Sequence, residues 1–313
     1  MRKLAICGIF LLPAAAWADI PVTALPFTAS SPNRYFLTSD LSVPAGSLGF
    51  VVDANLVTFD LNGHTITCAG GPTTITRAVS LGGNAGFTLT NGRIRNCAFG
   101  VSSHGTDGPA TNARIENVQF VDNYYRGISV EVSDSEILNN KVVNTTAQVT
   151  STSPADPTTR TGLPPPTSPT SPIFPTSPTR TIAAPLPGPT ANAAVPPIAI
   201  GIEVLGERNI VRDNTVIDTK GSAESVGISF SDWAVGSVLA GNVIRNDPAI
   251  PNSYGIWIGG ASDPKVVGNT VEGFTTGLAA SSPTRGFYRN NTVMGAGVRY
   301  VIEGTWTDGG NNY

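Results

Sequence analysis

The sequence predicts an all-β solenoid, a chain wound into stacked coils of short parallel strands, and three observations predict it. Segments opening on Gly and an apolar residue recur as Gly127-Ile128-Ser129-Val130, Gly201-Ile202-Glu203-Val204, Gly227-Ile228-Ser229-Phe230 and Gly255-Ile256-Trp257-Ile258, each alternating as a strand does. About a dozen residues after each of these four, and once more at 290–293, come a turn-prone residue, an Asn and a second β-rich run. These are Asn139-Asn140-Lys141-Val142, Asp213-Asn214-Thr215-Val216, Gly241-Asn242-Val243-Ile244, Gly268-Asn269-Thr270-Val271 and Asn290-Asn291-Thr292-Val293, with spacings of 28, 27 and 22 residues from Asn214 onward. Composition agrees: 13% of residues are charged and 7% aromatic, against 34 Gly, 25 Pro and 23 Asn, and no stretch keeps a helical period with caps at both ends. Coiled coils, helical bundles and transmembrane bundles are thereby excluded.

At the N-terminus, Arg2 and Lys3, the apolar run Leu4 to Leu12 and the small-x-small triplet Ala16-Trp17-Ala18 form a secretory signal (residues 1–18), cleaved after Ala18. The run is well short of the roughly 20 residues that span a bilayer, so no transmembrane segment remains after cleavage. Residues 19–313 then form the solenoid domain of a secreted or periplasmic protein. Without Arg2 and Lys3 the chain has 17 Lys and Arg against 22 Asp and Glu, a net charge of -5, so no basic field favours nucleic acid or anionic lipid.

The early coils fit the winding less regularly. Asn62-Gly63 and Asn91-Gly92 lie 29 residues apart, and Ile115-Glu116-Asn117-Val118-Gln119-Phe120 matches Ile137-Leu138-Asn139-Asn140-Lys141-Val142 with Val118 in the place of the second Asn. The residue before each repeated Asn is Asn, Asp or Gly, the types that tolerate a left-handed backbone at a sharp bend. The following Asn can stack on its counterpart one coil away. Asn140, Asn214, Asn242, Asn269 and Asn291 are therefore expected to form a ladder of amides along a stack with about 4.8 Å between coils, roughly nine coils or 40 Å in all.

Cys68 and Cys97 each follow their coil's Asn62 or Asn91 by six residues. Stacked on adjacent coils they fall within the roughly 4.4–6.8 Å that a disulfide accepts, and export provides the oxidising compartment; a disulfide is expected, with two buried thiols as the other arrangement.

At about 147–198 the pattern stops. Thr150 to Pro197 holds 14 Pro, 11 Thr and 5 Ser, with Thr-Ser-Pro beginning at 152, 167, 170 and 176, which predicts a disordered excursion serving as a spacer, O-glycosylated or otherwise, or as a lid. Asn140 and Asn214 are 74 residues apart, one coil of about 25 plus about 50 extra, so the stack can resume in register as one solenoid; a linker between two solenoids is the competing arrangement.

The segment Thr58-Phe59-Asp60-Leu61-Asn62-Gly63-His64-Thr65-Ile66 resembles the opening coil of right-handed parallel β-helix proteins of the pectate-lyase-like superfamily, and the likeness extends over residues 35 to about 306 apart from the insert. That resemblance implies a right-handed parallel β-helix. It leaves activity open, because the superfamily holds lyases, hydrolases, epimerases, tailspikes, adhesins and metal-assembly proteins.

With Ile128, Val130, Ile202, Val204, Ile228, Phe230, Ile256 and Ile258 pointing inward, Ser102, Ser129, Glu203, Ser229 and Trp257 form an outward column, and His104, Glu131 and Ser231 the next. Asp107, Tyr125, Arg126, Asp232, Trp233 and Tyr254 lie near the same face. Rings that stack on sugars beside charged groups suit a polysaccharide groove. The candidate acid-base residues are His104, Glu131, Glu203 and Arg126; the candidate sugar contacts are Tyr125, Ser129, Ser229, Trp233, Tyr254 and Trp257. Outward polar residues of a solenoid are more often simply solvated, and His64 fits a structural role in its turn.

The family's catalytic signatures are incomplete. Ser103-His104-Gly105 and Arg114-Ile115-Glu116 partly match polygalacturonase-like motifs, but the aspartate pair is missing, as is the Asp-Pro-His-Asp of alginate epimerases. Glu131, Asp134 and Glu203 do not declare the clustered acidic ligands of a Ca²⁺ site. Two His without Cys nearby argue against zinc, and they and Met294 against copper handling, so no metal or cofactor is indicated. The sequence thus predicts binding of a polysaccharide or cell-envelope glycan, with enzyme status open; an enzyme would be a polysaccharide lyase, glycoside hydrolase or epimerase. The alternative is a non-catalytic surface or envelope scaffold or adhesion protein. No capping helix is evident near either end, which leaves end-to-end self-association open.

Overall fold

The computed structural model describes residues 18–103, 108–147, 198–231, 234–246, 250–281 and 285–313. The expected signal, the excursion, His104, Asp107, Asp232 and Trp233 lie outside the described residues. Within them are 29 strands and no helix. Every strand pairing is parallel, so the fold is a parallel β-solenoid. An 18-stranded sheet forms two sides of the coil, and a second sheet, with ten strands in its path from Phe27–Ala29 to Val298–Ile302, forms the front.

Regular coils need short strands and sharp bends, and the sequence provides both. At the ladder corner Asn139, Asp213, Gly241, Gly268 and Asn290 have φ between 53° and 66°, the left-handed values expected of these residue types. Asn140 donates from N and Nδ2 to Asn214 Oδ1 at 2.9 and 3.1 Å, and the pattern repeats through Asn242, Asn269 and Asn291. Each Nδ2 also donates to a backbone carbonyl, such as Asn242 to Val211 O at 3.0 Å, so these buried amides satisfy one another and the bend. The ladder starts where Val118 N donates to Asn140 Oδ1 and runs one rung further than the sequence repeat suggested, to Asn312.

A second polar stack follows the same rule at another corner. Asp134, Arg208 and Gly236 take positive φ and precede Ser135, Asn209 and Ser237. Ser135 N donates to Asn209 Oδ1 at 3.1 Å and Asn209 N to Ser237 Oγ at 3.0 Å.

The coils before the excursion are held differently. Phe50 and Phe59 stack at 3.7 Å between centroids, Phe27 stacks on Phe50 at 5.7 Å, and Tyr35 meets both Phe27 and Phe50 edge-on. Cys68 and Cys97 form a disulfide with Cα atoms 4.9 Å apart. Thr65, Ile66 and Thr67 pair with Arg93, Ile94 and Arg95, so Cys97 lies one residue beyond the position opposite Cys68, past the bend at Asn96 (φ 57°).

Strand Arg126–Ser133 pairs with Ile198–Leu205, and Lys141–Ala147 with Thr215–Gly221, so the coils on either side of 148–197 are direct neighbours in one stack. The front sheet packs closely against the interior because Gly100, Gly127, Gly201, Gly227 and Gly255 form a column in which a Cβ would lie 2.4–2.8 Å from the next glycine's carbonyl oxygen. Among the described residues, no helix is long and apolar enough to cross a membrane.

Candidate functional site

The front sheet carries two outward columns across its coils. One runs Arg77, Phe99, Arg126, Ile200, Val226, Tyr254 and Thr276; the other runs Ser80, Ser102, Ser129, Glu203, Ser229, Trp257 and Ala279. The second column contains the five residues that strand alternation placed there, because one-residue register errors would turn every inward Ile and Val to solvent.

Where the columns meet, Arg126 reaches across to the next coil. Its Nε lies 2.8 Å from Glu203 Oε2, and Ser129 Oγ donates to the same oxygen at 2.6 Å. These side chains keep only 19% and 13% of their exposure for Arg126 and Glu203, so water screens the pair weakly. The guanidinium also lies 5.7 Å from the centre of the Phe99 ring, and Arg77 lies over the same ring at 5.2 Å. Phe99 is thus flanked by two guanidinium groups. Burial lowers the pKa of Arg77 below its ordinary value.

Three coils further along the stack from Arg126, Tyr254 and Trp257 are both partly exposed. The Trp257 ring extends over Gly259, where a Cβ would meet its Cη2 at 2.6 Å; the missing side chain leaves the ring room to lie along the strand.

Other sequence candidates fall elsewhere. Tyr125 is buried in a small satellite cluster with Ala98, Ala147 and Ala199, and its hydroxyl donates to Pro72 O. That burial pushes the phenol pKa up to about 12, and the ring presents no open face for stacking. Ser229 is fully buried between Glu203 and Trp257. Glu131 stands exposed one strand position beyond Val130, its backbone N–H donating to Ser103 Oγ at 2.5 Å. His64 sits in its turn with Nδ1 3.4 Å from Asp40 Oδ1, away from the front sheet.

A likeness at the level of fold follows from this architecture. No protein-family model and no curated protein matches the chain. A mutant of the periplasmic alginate epimerase AlgG superposes with a TM-score of 0.51 at 10% identity, over 85% of this chain and 62% of that one. A double mutant of the same enzyme gives 0.51 at 11%, over 88% and 66%. The chain shares with them the parallel β-helix fold. The Dettilon tailspike protein gives 0.49 at 15% identity, over 88% and 54%. This β-helix spans 54–66% of the length of those three chains, and the identities to the two epimerase structures speak for fold alone.

Arg77, Ser80, Phe99 and Glu224 were missing from the sequence reading. Arg77-Ala78-Val79-Ser80-Leu81 has Ala where later repeats have Gly, which hid its equivalence to Arg126-Gly127-Ile128-Ser129-Val130. Glu224, opposite Ile198 at one side of the front sheet, has its pKa raised by burial. Among the described residues, no three His, Cys, Asp or Glu side chains come together as a metal site. A concavity of about 410 Å³ lies on the 18-stranded sheet near Thr65, Asn91, Arg93, Asn117 and Gln119, and its lining has no aromatic residue.

Proposed function

We propose that this exported β-helix binds an extended polysaccharide along its front sheet. The observation that carries the reading is the alignment, coil upon coil, of the Arg126–Glu203–Ser129 cluster with the partly exposed rings of Tyr254 and Trp257. Charged groups fix the orientation of a polar chain, while rings cover the apolar faces of sugar units. A periplasmic alginate epimerase is built on the same fold, so a parallel β-helix can serve as a frame for polysaccharide recognition.

The local chemistry favours binding over bond cleavage. Both carboxylate oxygens of Glu203 are already engaged within the protein, Oε1 by Arg126 Nη2 and Oε2 by the Ser129 hydroxyl, so the group is committed to holding the cluster together. A scaffold or adhesion role uses the same arrangement without turnover.

Affinity electrophoresis in gels cast with acidic and neutral polysaccharides tests this. The expected result is retardation by at least one polymer, reduced about tenfold or more in a Trp257→Ala variant, with no unsaturated-sugar absorbance and no change in uronate stereochemistry by NMR. Lack of retardation by every polymer would sink the binding reading; turnover would overturn the non-catalytic part.

A further inference from the structure

The cluster around Arg126 has a counterpart nearer the N-terminus that lacks one component. Arg126 pairs in register with Ile200, and its guanidinium reaches the residue three positions on, Glu203, beside Ser129 three positions on in its own strand. Arg77 pairs with Phe99, and the equivalent positions are Ser102 and Ser80. The same constellation is therefore built twice, with Ser102 where the second copy has the Glu203 carboxylate.

What that substitution leaves behind is visible. Arg77 lies over Phe99 with no carboxylate partner among the described residues, although its surroundings disfavour an unneutralised charge. Ser102 is 4% exposed, and its hydroxyl, buried on the outward column, has no hydrogen-bond partner. A planar guanidinium and a hydroxyl donor, both unmet, beside a cluster in which the same geometry closes around a carboxylate, specify an oxyanion.

We propose that Arg77, Ser80 and Ser102, with Phe99 as a platform, form a subsite for a carboxylate carried by the bound glycan. The ligand supplies in trans what Glu203 supplies in cis. This rests on the groove reading and sharpens it: the track is asymmetric, selecting an acidic sugar at the Arg77 end and covering sugar faces with Trp257 about 24 Å away, five coil steps along the stack.

The test uses the full chain in gels containing polygalacturonate or dextran, with Arg77→Gln and Ser102→Glu variants and sodium sulfate as a free-anion competitor. Polygalacturonate should bind better than dextran, and Arg77→Gln should lose roughly 10- to 100-fold of that affinity with any dextran binding unchanged. Ser102→Glu should close the subsite from within, losing acidic-polymer affinity to a similar degree while raising the unfolding temperature. Competition by sulfate alone, with polygalacturonate no better than dextran, would overturn the glycan as the source of the anion. Wild-type affinity in Arg77→Gln would overturn the subsite; should Ser102→Glu fail to fold, Arg77→Gln decides alone. If both polymers bind equally and Trp257→Ala abolishes both, the subsite falls and the groove stands. If polygalacturonate does not bind while another polymer of the panel does, the subsite falls and the front-sheet reading stands; if no polymer of the panel binds, both fall.

Discussion

The first coils and the coils from Ser135 onward are fastened together by different chemistry. The early coils use a stack of Phe27, Phe50 and Phe59 in the core and the Cys68–Cys97 disulfide near a bend, whereas the later coils rely on a ladder from Asn140 to Asn312 and a second stack through Ser135, Asn209 and Ser237. Aromatic packing and a covalent link tolerate irregular bends. An amide ladder demands an identical bend in every coil, since its hydrogen bonds fail beyond a few tenths of an ångström. The later coils meet that demand through left-handed residues at each corner, while the early ones have Gly92 and Val118 after the bends at Asn91 and Asn117.

The largest effect should come from the middle of the ladder. Asn242→Ala removes the acceptor for Asn214 N and Nδ2 and the donor to Val211 O and Asn269 Oδ1, leaving buried polar groups that cost roughly 1–3 kcal/mol each. A loss of about 3–6 kcal/mol, read by denaturant unfolding and by hydrogen exchange concentrated in the later coils, is expected. Asn312→Ala, at the last rung, should cost about 1 kcal/mol; equal effects would show that the rungs do not act through burial.

Removing the disulfide should come next. It closes a loop of 29 residues, for which chain entropy suggests about 3–4 kcal/mol. A Cys68→Ser, Cys97→Ser double variant should lose exchange protection in the coils up to Arg95 and keep it in the ladder from Asn140 onward. Loss spread evenly over both regions would mean that the stack unfolds as a single unit.

The smallest effect concerns Glu224, in the first coil after Ile198–Leu205. Its raised pKa means that the folded protein holds a proton where the unfolded chain has released it, so stability falls as pH rises through the window above the ordinary carboxyl value. Glu224→Gln should remove that fall and be slightly more stable than wild type at neutral pH, with the difference vanishing in acid. Parallel pH–stability curves for the two proteins would exclude this origin.

The architecture was legible because it rests on local rules repeated many times. Asp213-Asn214 and Gly241-Asn242 announce both a bend and a rung, and Cys68 and Cys97 share one offset from their coils' bends. The second stack was harder to see, since its rungs alternate between Ser and Asn and Arg208 adopts an unexpected left-handed bend at φ 54°. For the site, alternation placed Ser129, Glu203 and Trp257 in one column, but it could not show that Arg126 reaches diagonally to the next coil. It also gave no sign that Tyr125 turns into a satellite cluster, because both depend on side-chain packing rather than on strand period.

The ladder also determines how the molecule would respond to force. Its rungs lie in series along the stack axis, at 28, 27, 22 and 21 residues from Asn214 to Asn312, so tension on the C-terminus loads one rung at a time. Each rupture pays out one coil, roughly 70–100 Å of extended chain. The later half would then act as an extensible tether, and the disulfide-closed coils near Cys68 as the part that stays shut.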